Sequence, residues 1–167
     1  VKQVGVLVLP DELARWDEFV RAAAAKHQVK ESLIYAHMSR ESGGRNVRGD
    51  SGHGRGLMQI DDRAFSEWVK RNSEGMDPAS NIDKGAEVIR DNIDFWERHA
   101  SLLPVLADPA FRERCAIASY NCGAGMVLRA VHAGQDPDHF TAPGPTGHPD
   151  YSADVLRRQK SFLQEPA

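Results

Sequence analysis

Apolar residues recur at helical spacing along most of the chain, and nowhere do they alternate for long with polar ones. Between residues 80 and 100, Ile82, Ala86, Ile89, Ile93, Trp96 and Ala100 repeat in steps of four and three. That is the stripe of an amphipathic helix with one face in a core. Ser80 followed by Asp83 resembles a capping box at its start, with Asp in place of Glu. Upstream, Pro10-Asp11 opens a helix that places Leu13, Trp16, Val20, Ala23 or Ala24 and His27 on one face. A second helix is predicted over about residues 30–41, with Leu33, Ile34, His37 and Met38 inward. Residues 62–72 read as a third, burying Phe65, Trp68 and Val69. Asp108-Pro109 supplies an N-cap and first-turn proline for a helix carrying Phe111, Cys115, Ala118 and Cys122 on one side. A short helix over 126–131 and a closing one over 151–162 complete a mainly α fold.

Two stretches interrupt the periodicity. Residues 43–56 hold six glycines and predict a loop or a small β excursion. Residues 136–150 are rich in Pro and Gly and predict a long loop. The apolar start, residues 1–10, is too short for a membrane span and lacks a signal-peptide cleavage pattern. A length of 167 residues suits one domain, 1–167, and the initial Val suggests a domain excised from a longer protein whose targeting signal lies elsewhere.

Composition narrows the function classes. A net charge of −3 gives no electrostatic footprint for nucleic acid. Cys115 and Cys122 lie two helical turns, ~10 Å, apart on an unbroken helix, too far for a disulfide, and read as free thiols. The seven histidines form no His-Glu-x-x-His, and no Cys-x-x-Cys is present, so neither metal nor cofactor is expected. His27 and His37 read as packed side chains, and Trp16, Trp96 and Trp68 as core, with Trp68 the best candidate for a sugar platform. Arg40, Arg45, Arg48 and Arg55 form a cluster that either contacts peptide-stem carboxylates or is paired and solvated.

The stretch His37-Met38-Ser39-Arg40-Glu41-Ser42-Gly43-Gly44 ends a buried helix on a carboxylate. A helix C-terminus carries partial negative charge and disfavours an anion, and apolar packing disfavours it again. Both push Glu41 toward its protonated form, unless it points to solvent and pairs with Arg40, Arg45 or Arg48. Asp50 in the glycine-rich loop and Asp61 just after it add two further carboxylates, although turn geometry and helix capping also account for them. One protonated carboxyl with a second group to activate water or stabilise a sugar cation is the layout for glycosidic cleavage.

Four segments, in order, carry a resemblance: Ser39-Arg40-Glu41-Ser42, Gly49 through Asp61 with Gly56-Leu57-Met58-Gln59 at its centre, Ser119-Tyr120-Asn121-Cys122-Gly123-Ala124-Gly125, and Asp150 through Val155. Together they resemble goose-type lysozymes, whose superfamily includes the soluble lytic transglycosylases. The resemblance implies a lysozyme-like single domain with a small irregular or β region beside an active-site groove. It implies Glu41 as general acid, with Asp50 and Asp61 holding or activating the attacking water. Tyr120 and Asn121 match a pair that shapes the sugar site, Tyr151 a groove-lining tyrosine and Gln59 a wall residue, and Ser42 and His53 are further substrate-binding candidates. Gly52, Gly54 and Gly56 are expected to let the backbone approach the sugar. The loop from Glu41 to Asp50 is shorter than in goose lysozymes, Cys122 stands where Ala is usual, and the vertebrate N-terminal cysteines are absent, which points to a bacterial or phage member.

The activity so implied is an inverting muramidase that cuts the β-1,4 bond between N-acetylmuramic acid and N-acetylglucosamine. The alternative within the superfamily is a lytic transglycosylase giving 1,6-anhydromuramyl products. The alternative of another class is a non-catalytic peptidoglycan-binding module. The implied partner is the glycan strand of peptidoglycan, with a proteinaceous inhibitor or immunity protein as a further candidate. The site of action is the periplasm or the cell exterior, reached by secretion, delivery as an effector, or a phage.

Overall fold

The computed structural model describes residues 6–145 and 147–164, so the first half of the apolar start lies outside the described residues. In chain order the elements are β1 (Val6–Leu7), α1 (Asp11–Ala14), α2 (Asp17–His27), α3 (Glu31–Glu41), β2 (Arg48–Gly49), β3 (Gly54–Arg55), β4 (Ile60–Asp61) and α4 (Ser66–Arg71). Then follow α5 (Pro78–Arg98), α6 (Pro109–Cys122), α7 (Ala124–His132), α8 (Tyr151–Phe162) and β5 (Leu163–Gln164). The chain is mainly α, with short antiparallel strands, as its periodicity predicts. It forms two compact units, residues 1–87 with 158–167, and residues 88–157.

In the first unit α3 is the innermost element, with every residue from Ser32 to Met38 buried. Two side chains from residues 158–167 are tied to it: Gln159 Nε2 donates to Ser32 Oγ at 3.0 Å and Arg158 Nη1 to Ser39 Oγ at 2.9 Å. The helix predicted to run on from Pro10 is broken at Arg15-Trp16. Trp16 leaves helical geometry, and its indole N–H donates to Gly44 O at 3.0 Å. A long-range bond to the glycine turn thus fixes a side chain that periodicity alone assigns to a continuous stripe.

Helix α5 begins two residues before the predicted box, and its cap is Asp77, which accepts from Ser80 N at 2.9 Å. Pro78 occupies the first turn, where a missing N–H costs nothing. Asp83 is not a capping residue. Its carboxylate pairs with Lys26 Nζ at 2.7 Å and His27 Nε2 at 2.9 Å, two side chains in the last turn of α2. Helix α4 covers only Ser66–Arg71, because Asp61 is in β4 and Asp62 leads out of it.

The second unit packs Trp96, Leu106, Cys115, Ala118, Val127 and Val131 into one core. The Trp96 indole donates to Ser119 Oγ at 2.8 Å, and that hydroxyl donates to Cys115 O at 2.7 Å, so the one polar atom of the ring is satisfied inside the core. Asp108 caps α6 by accepting from Ala110 N at 2.9 Å, as Asp108-Pro109 predicts. Residues 136–150 are tied to the start of α8 by buried Asp138, which accepts from Ser152 N and Ser152 Oγ, both at 2.7 Å. Arg114 balances this charge, donating to Asp136 at 2.7 Å and to Asp138 at 3.4 Å.

Candidate active site

Glu41 is the last residue of α3 and is half-buried. Its position is set by the residues that stop the helix. Ser42 N still donates to Met38 O at 3.0 Å, and Ser42 Oγ donates to Leu57 O at 2.7 Å. That hydroxyl bond ties the end of α3 to the turn between β3 and β4. Ser42 is 4% exposed, so its hydroxyl holds protein rather than lining an open surface. Gly44 then turns the chain at φ +78°, and a Cβ there would lie 2.4 Å from Glu12 O. Only glycine meets both demands.

The glycine-rich stretch is a three-stranded antiparallel sheet, β2-β3-β4, with Gly49 opposite Gly54 and Gly54 opposite Asp61. Two amides explain its glycines. Gln59 Nε2 donates to Val47 O at 3.0 Å and to Gly56 O at 2.7 Å, and a Cβ on Gly49 or Gly54 would come within 2.1 or 2.3 Å of Gln59 Oε1. Buried Asn81 accepts from Met58 N at 2.7 Å and donates to Arg55 O at 2.7 Å and Gly75 O at 2.9 Å. A Cβ on Gly56 would meet Asn81 at 2.6 Å. The expectation that Gly54 and Gly56 make room for sugar is therefore corrected: they make room for Gln59 and Asn81. Gly52 faces open space. The amide of Gln59 is likewise folded into the loop it was expected to wall.

Register brings Asp50 and Asp61 to one place, and Arg63 joins them. Arg63 Nη2 donates to Asp50 Oδ2 and to Asp61 Oδ2, both at 2.6 Å. Arg63 Nε and its backbone N–H reach Asp61 Oδ1 at 2.9 and 2.8 Å. The hydrogen bond from the Arg63 side chain is the main cause that holds the Asp61 carboxyl below its ordinary range. Next to it, Asp62 accepts from His53 Nδ1 at 2.8 Å and from Arg55 Nη2 at 2.5 Å, and these two bonds, His53 first, lower its carboxyl as well. Asp62 so fixes the His53 ring with Nδ1 toward the carboxylate, while the side chain stays half-exposed. The arginine cluster is largely engaged: Arg45 Nε donates to Ser42 O at 3.0 Å, Arg48 pairs with Glu74, and Arg55 with Asp62. Sequence reasoning missed Arg63, Asp62 and Asn81. The basic residue two positions after Asp61 was the available signal for the first.

The other candidates lie in the second unit. Tyr120 is half-buried in the last turn of α6, and Asn121 is exposed, with Oδ1 accepting from Ala142 N at 2.8 Å. Tyr151 is 1% exposed, which makes its ring part of the packing at the start of α8 rather than an exposed lining. Cys115 and Cys122 are free, as the unbroken α6 requires, and burial pushes their thiols up to about 12 and about 11. Among the described residues no three His, Cys, Asp or Glu side chains cluster as a metal site, and no helix is long and apolar enough to cross a membrane.

Residues 18–141 match the family model described as Transglycosylase SLT domain, a segment that includes Glu41, Asp50, Gln59, Asp61, Tyr120 and Asn121. Three curated proteins named membrane-bound lytic murein transglycosylase C are similar to the chain. The one from Cronobacter sakazakii is 33% identical over 129 residues, covering 70% of this chain and 33% of that protein. The one from Salmonella typhimurium is 34% identical over 122 residues, covering 66% and 31%. The one from Actinobacillus succinogenes is 26% identical over 168 residues, covering 86% and 45%. The chain thus spans between about 31% and 45% of the length of these relatives.

Proposed function

The chain belongs to the transglycosylase SLT domain family, and from that premise we propose that it cleaves peptidoglycan glycan strands as a lytic transglycosylase. The observation that carries this reading is the Arg63 fork on Asp61 and Asp50. A carboxylate that accepts four hydrogen bonds from one arginine has little lone-pair capacity left for water, and its lowered pKa makes it a weaker base. The water-activating pair that a muramidase needs is therefore engaged, and Glu41 serves both halves of the reaction.

In this reading the protonated Glu41 donates to the glycosidic oxygen as the bond to muramoyl C1 breaks. The helix dipole and partial burial at the end of α3 favour the neutral acid before that step. The resulting carboxylate then accepts the proton of the C6 hydroxyl of the same muramoyl residue, whose oxygen bonds to C1 and closes the 1,6-anhydro ring. No water is consumed, and Glu41 ends the cycle protonated. Tyr120 and Asn121 shape the sugar site. His53, oriented by Asp62, contacts sugar at the exposed edge of the loop. Ser42 and Gln59 hold the loop in place through Leu57, Val47 and Gly56. The reaction takes place where murein lies, outside the cytoplasm.

The second reading, inverting hydrolysis, is favoured by one observation: two carboxylates converge in one loop, which Ser42 ties at Leu57 to the end of the acid's helix. Digestion of purified peptidoglycan with mass spectrometry of the soluble fragments separates the readings. The transglycosylase releases fragments lighter by one water than reducing muropeptides. Release is lost in Glu41→Gln and retained in Asp61→Asn. Reducing muropeptides lost in both variants would support the muramidase instead.

A further inference from the structure

We propose that Arg63 is the residue that decides between intramolecular and water attack in this site, acting as a clamp that occupies the Asp61 carboxylate and keeps it from serving as a base. The inference rests on the transglycosylase reading and explains how a loop with two carboxylates can carry it. Arg63 closes on Asp61 through Nε at 2.9 Å to Oδ1 and Nη2 at 2.6 Å to Oδ2, a two-pronged fork, and Nη2 also reaches Asp50 at 2.6 Å. The three side chains are 57%, 38% and 63% exposed. Exposed ion pairs contribute little to stability, so the consequence of this contact is chemical rather than structural. The other cations of the loop have their own contacts: Arg55 is on Asp62, Arg48 on Glu74 and Arg45 on Ser42 O. None substitutes for Arg63 at Asp61.

The two outcomes balance as follows. With the clamp closed, the glycosidic C1–O bond breaks, the proton of Glu41 goes to the leaving oxygen, the C6 oxygen bonds to C1, and its proton returns to Glu41. With the clamp open, the same C1–O bond breaks and the Glu41 proton goes to the leaving oxygen, but a water oxygen bonds to C1, one water proton goes to Asp61 and then to solvent, the hydroxyl remains at C1 as a reducing end, and Glu41 is reprotonated from solvent. One residue, outside the acid itself, thus selects the nucleophile.

The test is the ratio of reducing to 1,6-anhydro muropeptides from purified peptidoglycan, measured for the wild type, Arg63→Gln, Arg63→Lys and Arg63→Gln/Asp61→Asn. Arg63→Gln raises the ratio by roughly tenfold, well below the 10²–10⁴ that a fully positioned base supplies. Lys, a point charge that cannot fork, gives an intermediate ratio, and the double variant returns to the wild-type ratio. The wild type itself shifts toward reducing ends as salt is raised, because an exposed pair is screened, a readout that needs no variant to fold. An unchanged ratio in Arg63→Gln with wild-type total release overturns the clamp, as does an equal fall in both products, which would make Arg63 a loop-shaping residue only. A wild type that yields reducing ends alone overturns the transglycosylase reading on which the clamp rests, and does so before any variant is compared.

Discussion

Asn81→Asp changes one atom type and little volume, yet it should destabilise the protein more than most surface substitutions together. Asn81 is fully buried and serves three backbone groups: it accepts from Met58 N and donates to Arg55 O and Gly75 O. The aspartate keeps the acceptor and loses both donors. Its second oxygen then faces two carbonyl oxygens in a buried site. Each buried carbonyl left without a donor costs about 1–3 kcal/mol, which gives roughly 3–5 kcal/mol for the substitution. In a chain of this size that lowers Tm by roughly 10 °C.

The variant also carries a pH signature. Burial against two carbonyls raises the folded pKa of the new carboxyl above its unfolded value of about 3.9. A group of that kind contributes most below the unfolded pKa, so the penalty shrinks as the pH falls toward 4 and is full at neutrality. Urea denaturation of the wild type and the variant at pH 7 and pH 5 reads both effects. A loss within about 0.5 kcal/mol at pH 7, the range of ordinary surface changes, would refute the claim that this amide staples the loop. A penalty independent of pH would show that the charge is not what matters.

Other outcomes follow from the same contacts. Gly44→Ala places a Cβ 2.4 Å from Glu12 O at φ +78°, whereas Gly43→Ala at φ +62° meets nothing within 4 Å. The first should cost several-fold more stability than the second, which carries only the roughly 1–2 kcal/mol of left-handed backbone strain. Equal denaturation midpoints would remove the close approach from the account. His37 is buried, with Nδ1 bonded to Leu33 O, and burial lowers its pKa to about 4. The unfolded chain therefore takes up the proton first, and stability that is intact above pH 6.5 is lost between pH 6.5 and about 4, by about 3 kcal/mol. A His37→Leu variant lacks that slope, and an identical slope would place the acid sensitivity elsewhere. Asp138→Ala strips the start of α8 of its Ser152 contacts and leaves Arg114 half-paired. A loss of roughly 2–4 kcal/mol is expected, read by thermal unfolding, and a loss below 1 kcal/mol would contradict the role given to this loop.

The sequence shows most clearly what repeats locally. The stripe from Ile82 to Trp96, the Asp108-Pro109 start and the helix that ends at Glu41 all follow from spacing and capping chemistry within one element, and all three appear in the structure. What stays hidden depends on partners distant in sequence. Asp83 reads as a cap because Ser80 precedes it, but Lys26 and His27 claim it from more than fifty residues away. Trp16 breaks a helix because Gly44 O accepts from it. The strands of the glycine-rich loop are two residues long and too short to alternate, so only the glycines betray them, and the amides that require those glycines, Gln59 and Asn81, carry no motif of their own. The motif segments pointed to Glu41, Asp50 and Asp61 as candidates, and the register brings the two aspartates together. That Arg63 would occupy both depends on side-chain geometry in a folded loop, which spacing along the chain does not encode.

The central claim is that the sugar's own hydroxyl, and not water, attacks at C1. Digestion of peptidoglycan in water enriched in the heavy oxygen isotope, followed by mass spectrometry, tests it most directly. The account predicts unlabelled, anhydro-ended fragments from the wild type and none from Glu41→Gln. Fragments carrying the heavy oxygen at a reducing muramoyl end would contradict it and return Asp61 to the role of a base.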